Sequence, residues 1–183
     1  MSVLSLGIES IFGENDISSV VIPPFSSALL NDGKIEKFSL DTVRKALAAN
    51  HTVITHGDVC YDNTRGAAIL SGDTILSYLA TQLNIERVLV GTNVDGLLDA
   101  NPKENPNAQI ISVINQSNRN EVLRIAGPSE STDVTGGMKR KISDLLEIAK
   151  LGIEVVIFNL TSPGRLNAIL ERDEHTICTR III

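Results

Sequence analysis

Strand-like and helix-like segments alternate along this 183-residue chain, and that alternation restricts its fold more than any other feature. Val20-Val21-Ile22 is a short apolar run closed by Pro23-Pro24. Thr52-Val53-Ile54, Ala67 to Leu70, Val88-Leu89-Val90 and Val155-Val156-Ile157 repeat the pattern, and Ile177 to Ile183 reads as a last strand. Helical periods fill the spaces between. Leu40 to Ala49, after Ser39, sets Val43 and Leu47 four residues apart. Ile75, Leu76, Leu79, Ala80 and Leu83 make one apolar face, and Ser71 stands where it can cap that helix. Asn118 to Ala126 reads as a short helix after a polar loop from Pro102 to Gln109. From Met138, the positions Ile142, Leu145, Leu146 and Ala149 mark a helix stopped at Gly152, and Pro163-Gly164 opens a final one. Short apolar strands separated by amphipathic helices give an α/β chain, with a mostly parallel central sheet and helices on both faces. Ligands of such sheets sit in the loops at strand ends.

Length and charge narrow the class further. A chain of this size buries one sizeable core, so residues 1–183 are taken as a single domain. The net charge of −6 lacks the basic face needed for nucleic acid or an anionic membrane. No apolar run approaches the roughly 20 residues that cross a bilayer. Met1-Ser2-Val3-Leu4 lacks the basic head of a secretion signal. Cys60 and Cys178 show no metal-ligand spacing and read as buried thiols in a reducing compartment, with a disulfide as the less favoured option. His51, His56 and His175 form no metal triad by spacing. A cytoplasmic protein is expected.

Several short strings carry chemistry. In Asp133-Val134-Thr135-Gly136-Gly137-Met138-Lys139-Arg140-Lys141, two glycines stand at the mouth of an amphipathic helix and basic residues fill its first turn. Glycine allows close backbone approach, and free amides at a helix start favour an anion. A plain helix cap would use Gly-Gly as well, and three basic residues are also compatible with a solvated face. Gly91-Thr92-Asn93-Val94-Asp95-Gly96-Leu97-Leu98-Asp99 follows a strand and is either a turn or a companion ligand loop. His56-Gly57-Asp58-Val59 is likewise a strand-ending turn or a site loop. Asp73, after Ser71-Gly72, lies in the first turn of a helix, where an acid complements the dipole without any other role.

Taken together and in order, these strings resemble those of the isopentenyl phosphate kinases, within the amino-acid kinase superfamily. The resemblance runs from about Val20 onward and includes Ile69-Leu70-Ser71-Gly72-Asp73 and Asn101-Pro102. It implies an amino-acid kinase (carbamate kinase-like) fold, and ATP-dependent phosphorylation of isopentenyl phosphate to isopentenyl diphosphate, a step of isoprenoid precursor synthesis. Under it, Lys141 matches the lysine that stabilises charge on the transferring phosphate, and Asp73 the residue that organises cationic groups around it. Thr92, Asn93, Val94, Asp95 and Gly96 border the nucleotide, and Gly136 and Gly137 admit it closely. Gly57, Asp58, Ser71 and Gly72 fall on the acceptor side. Magnesium is expected with ATP, and a homodimer is expected. Thr74 stands where the family often has a second Asp, Asn93 where it has Asp, and Leu98 where an aromatic residue is common.

The front of the chain departs most. The family begins with a strand and Gly-rich loops carrying a lysine and a histidine, and nothing in Met1 to Val20 matches them. The chain therefore reads as the C-terminal two-thirds of such a domain, lacking its first strands. A truncated start, a pseudo-enzyme or a two-chain assembly would each explain this. Expressed alone, the residues are expected to associate, to bind ATP weakly and to transfer nothing. Two alternatives stay open: another superfamily kinase, acting on a phosphonate, carboxylate or nucleoside monophosphate, and a non-catalytic nucleotide-binding module.

Overall fold

The computed structural model describes residues 2–100, 105–125 and 137–183. The chain divides into two compact units, one ending at Gln82 and one spanning Leu83–Ile183.

The first unit opens with helix α1 (Ser2–Glu14) and strand β1 (Ser19–Val21). A single turn, α2 (Pro24–Ser27), leads into the hairpin β2 (Ala28–Asn31) and β3 (Lys34–Phe38). Helix α3 (Leu40–Ala48), strands β4 (Thr52–Ile54), β5 (Asp58–Asp62) and β6 (Gly66–Leu70), and helix α4 (Gly72–Gln82) follow. β1 pairs in parallel with β4, and a separate sheet has the order β3-β2-β5-β6. In that sheet only the β2–β5 pair is parallel. Leu30, Val43, Cys60, Leu70 and Ile75 are fully buried in this half.

Turn chemistry explains the antiparallel part. Asn31 pairs with Lys34 across a two-residue loop, and both loop residues, Asp32 and Gly33, have positive φ (49° and 77°). This is the Asp-Gly turn whose twist matches the flanking strands. One carboxylate then joins two turns. Asp62 is buried and accepts from the amides of Asp32 (3.1 Å), Gly33 (2.6 Å), Thr64 (2.9 Å) and Arg65 (2.9 Å). Burial pushes this carboxyl up, but the four amide donors outweigh it and hold it below the usual carboxylate range.

The second unit contains β7 (Arg87–Thr92), β8 (Val113–Ile114), α5 (Arg119–Ile125), α6 (Gly137–Ala149), β9 (Glu154–Asn159), α7 (Arg165–Leu170) and β10 (Thr179–Ile181). Its sheet order is β7-β9-β10-β8, with β7–β9 and β10–β8 parallel and β9–β10 antiparallel. Val155 to Phe158 are all buried, the continuous apolar run of a strand covered on both faces. Helix α6 buries the expected Ile142, Leu145, Leu146 and Ala149, with Ile148 beside them. Gly152, at φ 80°, ends the turn after it. Glu154 lies 2.9 Å from Arg87 and 2.8 Å from Arg180, so one acid ties three strands together.

The fold is the α/β class read from the sequence, with parallel pairs in every sheet and antiparallel ones mixed in. Several elements differ in extent. The last strand is confined to Thr179–Ile181, and α5 is described to Ile125, the expected Ala126 lying outside the described residues.

Candidate active site

Within the second unit, the chain leaves β7 at Thr92 and turns sharply. The Thr92 hydroxyl donates to the carbonyl of Val94 at 2.8 Å, and the Thr92 carbonyl accepts from the amide of Leu160 at 2.9 Å. Asp95 accepts from the side-chain amide of Asn159 at 3.1 Å and lies 3.5 Å from the guanidinium of Arg165. Arg165 in turn donates to the carbonyl of Ile177. Beyond Gly96 the chain forms a short antiparallel ladder, in which the carbonyl of Leu97 accepts from the amide of Ile111 and the amide of Asp99 donates to the carbonyl of Gln109. The loop is thus held on both sides by backbone and polar side-chain contacts, the arrangement a ligand loop needs to be organised before binding.

This loop walls a cavity of about 350 Å³. Gly91, Thr92, Asn93, Val94 and Gly96 form one side, and Lys141 lies on another. The apolar residues Ile142, Leu145 and Ile157 close it. Gly91 admits no side chain easily, because a Cβ there would stand 3.0 Å from Leu160. Helix α6 therefore sorts its basic residues. Lys139 and Arg140 are exposed, and Arg140 lies 4.0 Å from Asp144 one turn on. Lys141 is half-buried in the cavity wall. A cation beside glycine-lined backbone, over an apolar floor, suits an anionic ligand with a flat apolar part. Asp95 faces Asn159 and Arg165 and is not among the residues lining the cavity. Gly137 is the first residue of α6, whereas Gly136, residues 133–135 and Asn101-Pro102 lie outside the described residues.

In the first unit, two of the sequence strings come together. Gly57 lies between β4 and β5, and Gly72 opens α4 directly after β6. Asp58 pairs with Leu70 in the β5–β6 register, which carries Gly57 alongside Ser71 and Gly72. The Ser71 hydroxyl accepts from the amide of Thr74 at 3.1 Å and lies 2.8 Å from the Thr74 hydroxyl. Ser71 is therefore the helix cap expected of it, and Thr74 completes that cap. Asp73 is exposed in the first turn. Asp58 has both carboxylate oxygens on backbone amides, Phe25 at 3.2 Å and its own Val59 at 2.9 Å, so it fastens α2 to β5. His56 is buried, and its Nδ1 lies 2.9 Å from the carbonyl of Gly57. A carbonyl can only accept, so Nδ1 carries a hydrogen.

The residues that sequence reasoning missed are those that hold the loops. Asn159 ends an apolar strand and is a visible polar break, but Arg165 and Thr179 carry no local signal. The thiols of Cys60 and Cys178 are free and buried, and burial pushes both up from the ordinary thiol value.

Comparison with known proteins gives the family. The family model for the amino acid kinase family matches residues 2–159. The chain is 33% identical over 160 residues to the isopentenyl phosphate kinase of Methanothermobacter thermautotrophicus, covering 86% of this chain and 59% of that protein. It is 37% identical over 127 residues to the isopentenyl phosphate kinase of Methanocaldococcus jannaschii, covering 69% of this chain and 45% of that one. An X-ray structure of an isopentenyl phosphate kinase superposes with a TM-score of 0.79 at 28% identity, over 98% of this chain and 66% of the other. The chain spans about half the length of the curated relatives it matches.

Proposed function

The chain belongs to the amino acid kinase family, and from that premise we propose that it serves ATP-dependent phosphorylation of isopentenyl phosphate to isopentenyl diphosphate. The observation that carries the reading is the cavity at the end of β7, where Lys141 stands across from a glycine-bordered loop. Likeness to isopentenyl phosphate kinases supplies the acceptor. The family match crosses both compact units, which supports reading them as parts of one kinase domain.

Phosphoryl transfer needs positioning and charge stabilisation more than covalent help. The backbone of Thr92 to Gly96 borders the nucleotide, and Gly136 and Gly137 let it approach the start of α6. Lys141 stabilises negative charge on the transferring phosphate. An acceptor phosphate is already ionised at neutral pH, so Asp73 orders cationic groups and need not act as a base. Gly57, Ser71 and Gly72 serve the acceptor side, and Asp58 holds that loop in place. Magnesium arrives on the phosphate oxygens of ATP, as part of the substrate. Two free thiols fit a reducing compartment such as the cytoplasm, and a homodimer completes the proposal by family likeness.

The test is ADP release by the purified protein, alone and joined to a family-like Gly-rich front segment, with isopentenyl phosphate, glutamate, a nucleoside monophosphate and a phosphonate as separate acceptors, beside calorimetric ATP binding. The largest kcat/KM with isopentenyl phosphate supports the proposal. Faster turnover of another acceptor reassigns the substrate, and ATP binding without turnover on any of them replaces the kinase with a nucleotide-binding module.

A further inference from the structure

Thr179 is fully buried at the first position of β10, where it pairs with Ile157 of β9. A strand position of that kind suits an apolar β-branched residue, and a hydroxyl there carries a desolvation cost unless it is bonded. Its partner lies 82 residues earlier: the Thr179 hydroxyl accepts from the amide of Leu97 at 2.8 Å. The same oxygen fills the space that a side chain on the preceding residue would need. A Cβ built on Gly96 would stand 2.6 Å from it and 3.2 Å from the Thr179 amide nitrogen. One side chain thus fixes two consecutive residues of the loop, one by a hydrogen bond and one by excluding any side chain.

The neighbours of Thr179 do something else. Cys178 and Arg180 line a different cavity of about 580 Å³, together with Glu154 and His175. Alternation along a strand sends residues 178 and 180 to one face and Thr179 to the other. The Thr179 hydroxyl is therefore committed to the loop. Gly96 and Leu97 both line the cavity that holds Lys141. Thr179 therefore contacts the part of the loop that lines that cavity.

We propose that Thr179 is a positioning residue for the nucleotide, holding Gly96-Leu97 at the level that ATP binding requires. The inference rests on reading the Lys141 cavity as the nucleotide site. Thr179→Val keeps the branched shape and removes the acceptor, so the half-buried Leu97 amide loses its partner. Thr179→Ser keeps the oxygen.

Three readouts separate this role from a general loss of packing. ATP affinity by calorimetry should fall about tenfold in Thr179→Val, the scale of one buried hydrogen bond with its orphaned donor, and stay within about threefold of wild type in Thr179→Ser. KM for ATP should rise with Kd while KM for the acceptor holds. Amide exchange at Leu97 should accelerate in the Val variant and not in the Ser variant, with β9 unchanged. Equal ATP affinity in the two variants, or wild-type Leu97 protection in Thr179→Val, overturns the proposal. If the Val variant does not fold, a Ser variant that loses tenfold in ATP affinity overturns it, and one that retains affinity with a protected Leu97 amide upholds it. If the wild type binds no ATP, the nucleotide reading fails separately, and amide exchange across residues 93–97 still decides whether Thr179 positions the loop.

Discussion

Gly57 and Gly72 lie backbone to backbone: a Cβ on Gly57 would stand 3.3 Å from the amide nitrogen of Gly72 and 3.3 Å from the carbonyl oxygen of Leu70. Both neighbours are main-chain atoms that cannot swing aside. The reverse contact is loose, since a Cβ on Gly72 would meet only the Gly57 nitrogen, at 4.0 Å.

That asymmetry gives the first prediction. Gly57→Ala should destabilise by about 1–3 kcal/mol, the range for overpacked sites, and should raise KM for the acceptor more than KM for ATP. Gly72→Ala should be close to neutral in stability. Urea titrations of the two variants check the ordering, and equal stabilities would remove the close approach as the reason for Gly57.

Lys141 should stand apart from its basic neighbours. In a version that carries the family's Gly-rich front, Lys141→Ala is expected to lower turnover by about 10²-fold or more, the scale of a lost electrostatic stabiliser. Lys139→Ala and Arg140→Ala, whose side chains are exposed, should stay within about threefold, because exposed charges contribute little. Steady-state kinetics on the three variants would place a solvated basic face back in contention if all behaved alike.

Asp73→Asn preserves shape and removes charge. A residue that only complements the dipole of α4 would lose about 0.3–1 kcal/mol of stability and keep its activity. The organising role predicts the reverse, a fall in kcat with an unchanged melting temperature. Differential scanning calorimetry paired with kinetics distinguishes the two.

Asp62 should shape the acid limb of the stability curve. Its folded pKa lies below the unfolded value because four backbone amides favour the carboxylate against burial. The folded state then binds fewer protons, so the contribution is complete above the unfolded pKa of about 3.9 and is lost as pH falls through the lower folded value. Asp62→Asn should be less stable at neutral pH and show a shallower acid limb, measured by denaturant midpoints between pH 6 and about 2.5. Parallel curves for the two proteins would mean that the turn network does not depend on the charge.

Much of this was legible in the chain itself, and what was not has a physical reason. Thr52–Ile54 appears as read, and α6 buries the four apolar positions that its period marks. The site strings were visible because they sit at strand ends, where backbone chemistry is local. The β2–β3 hairpin was missed although Asp32-Gly33 is a strong two-residue turn signal; Leu29 and Leu30 beside it blur the alternation. Strand β5 was missed because it holds Asp62, an acid that sequence logic sends to the surface. Its four donors lie in two turns, one of them some thirty residues away along the chain. Arg165 and Thr179 were invisible for the same reason, since only the folded sheet brings them to residues 95–97.

The sheet order β7-β9-β10-β8 has a consequence for the growing polypeptide. β10 is the last of these strands to be made, yet it occupies an interior place, so β8 and β9 have no common neighbour until it arrives. At translation speeds of about 5–20 residues per second, the 82 residues between Leu97 and Thr179 take roughly 4–16 seconds to synthesise. Throughout that interval the turn at Gly96 has been synthesised without the hydroxyl that supports it. A ribosome halted before Thr179 would carry a nascent chain that holds the sequence of α6 but lacks the hydroxyl that accepts from the Leu97 amide.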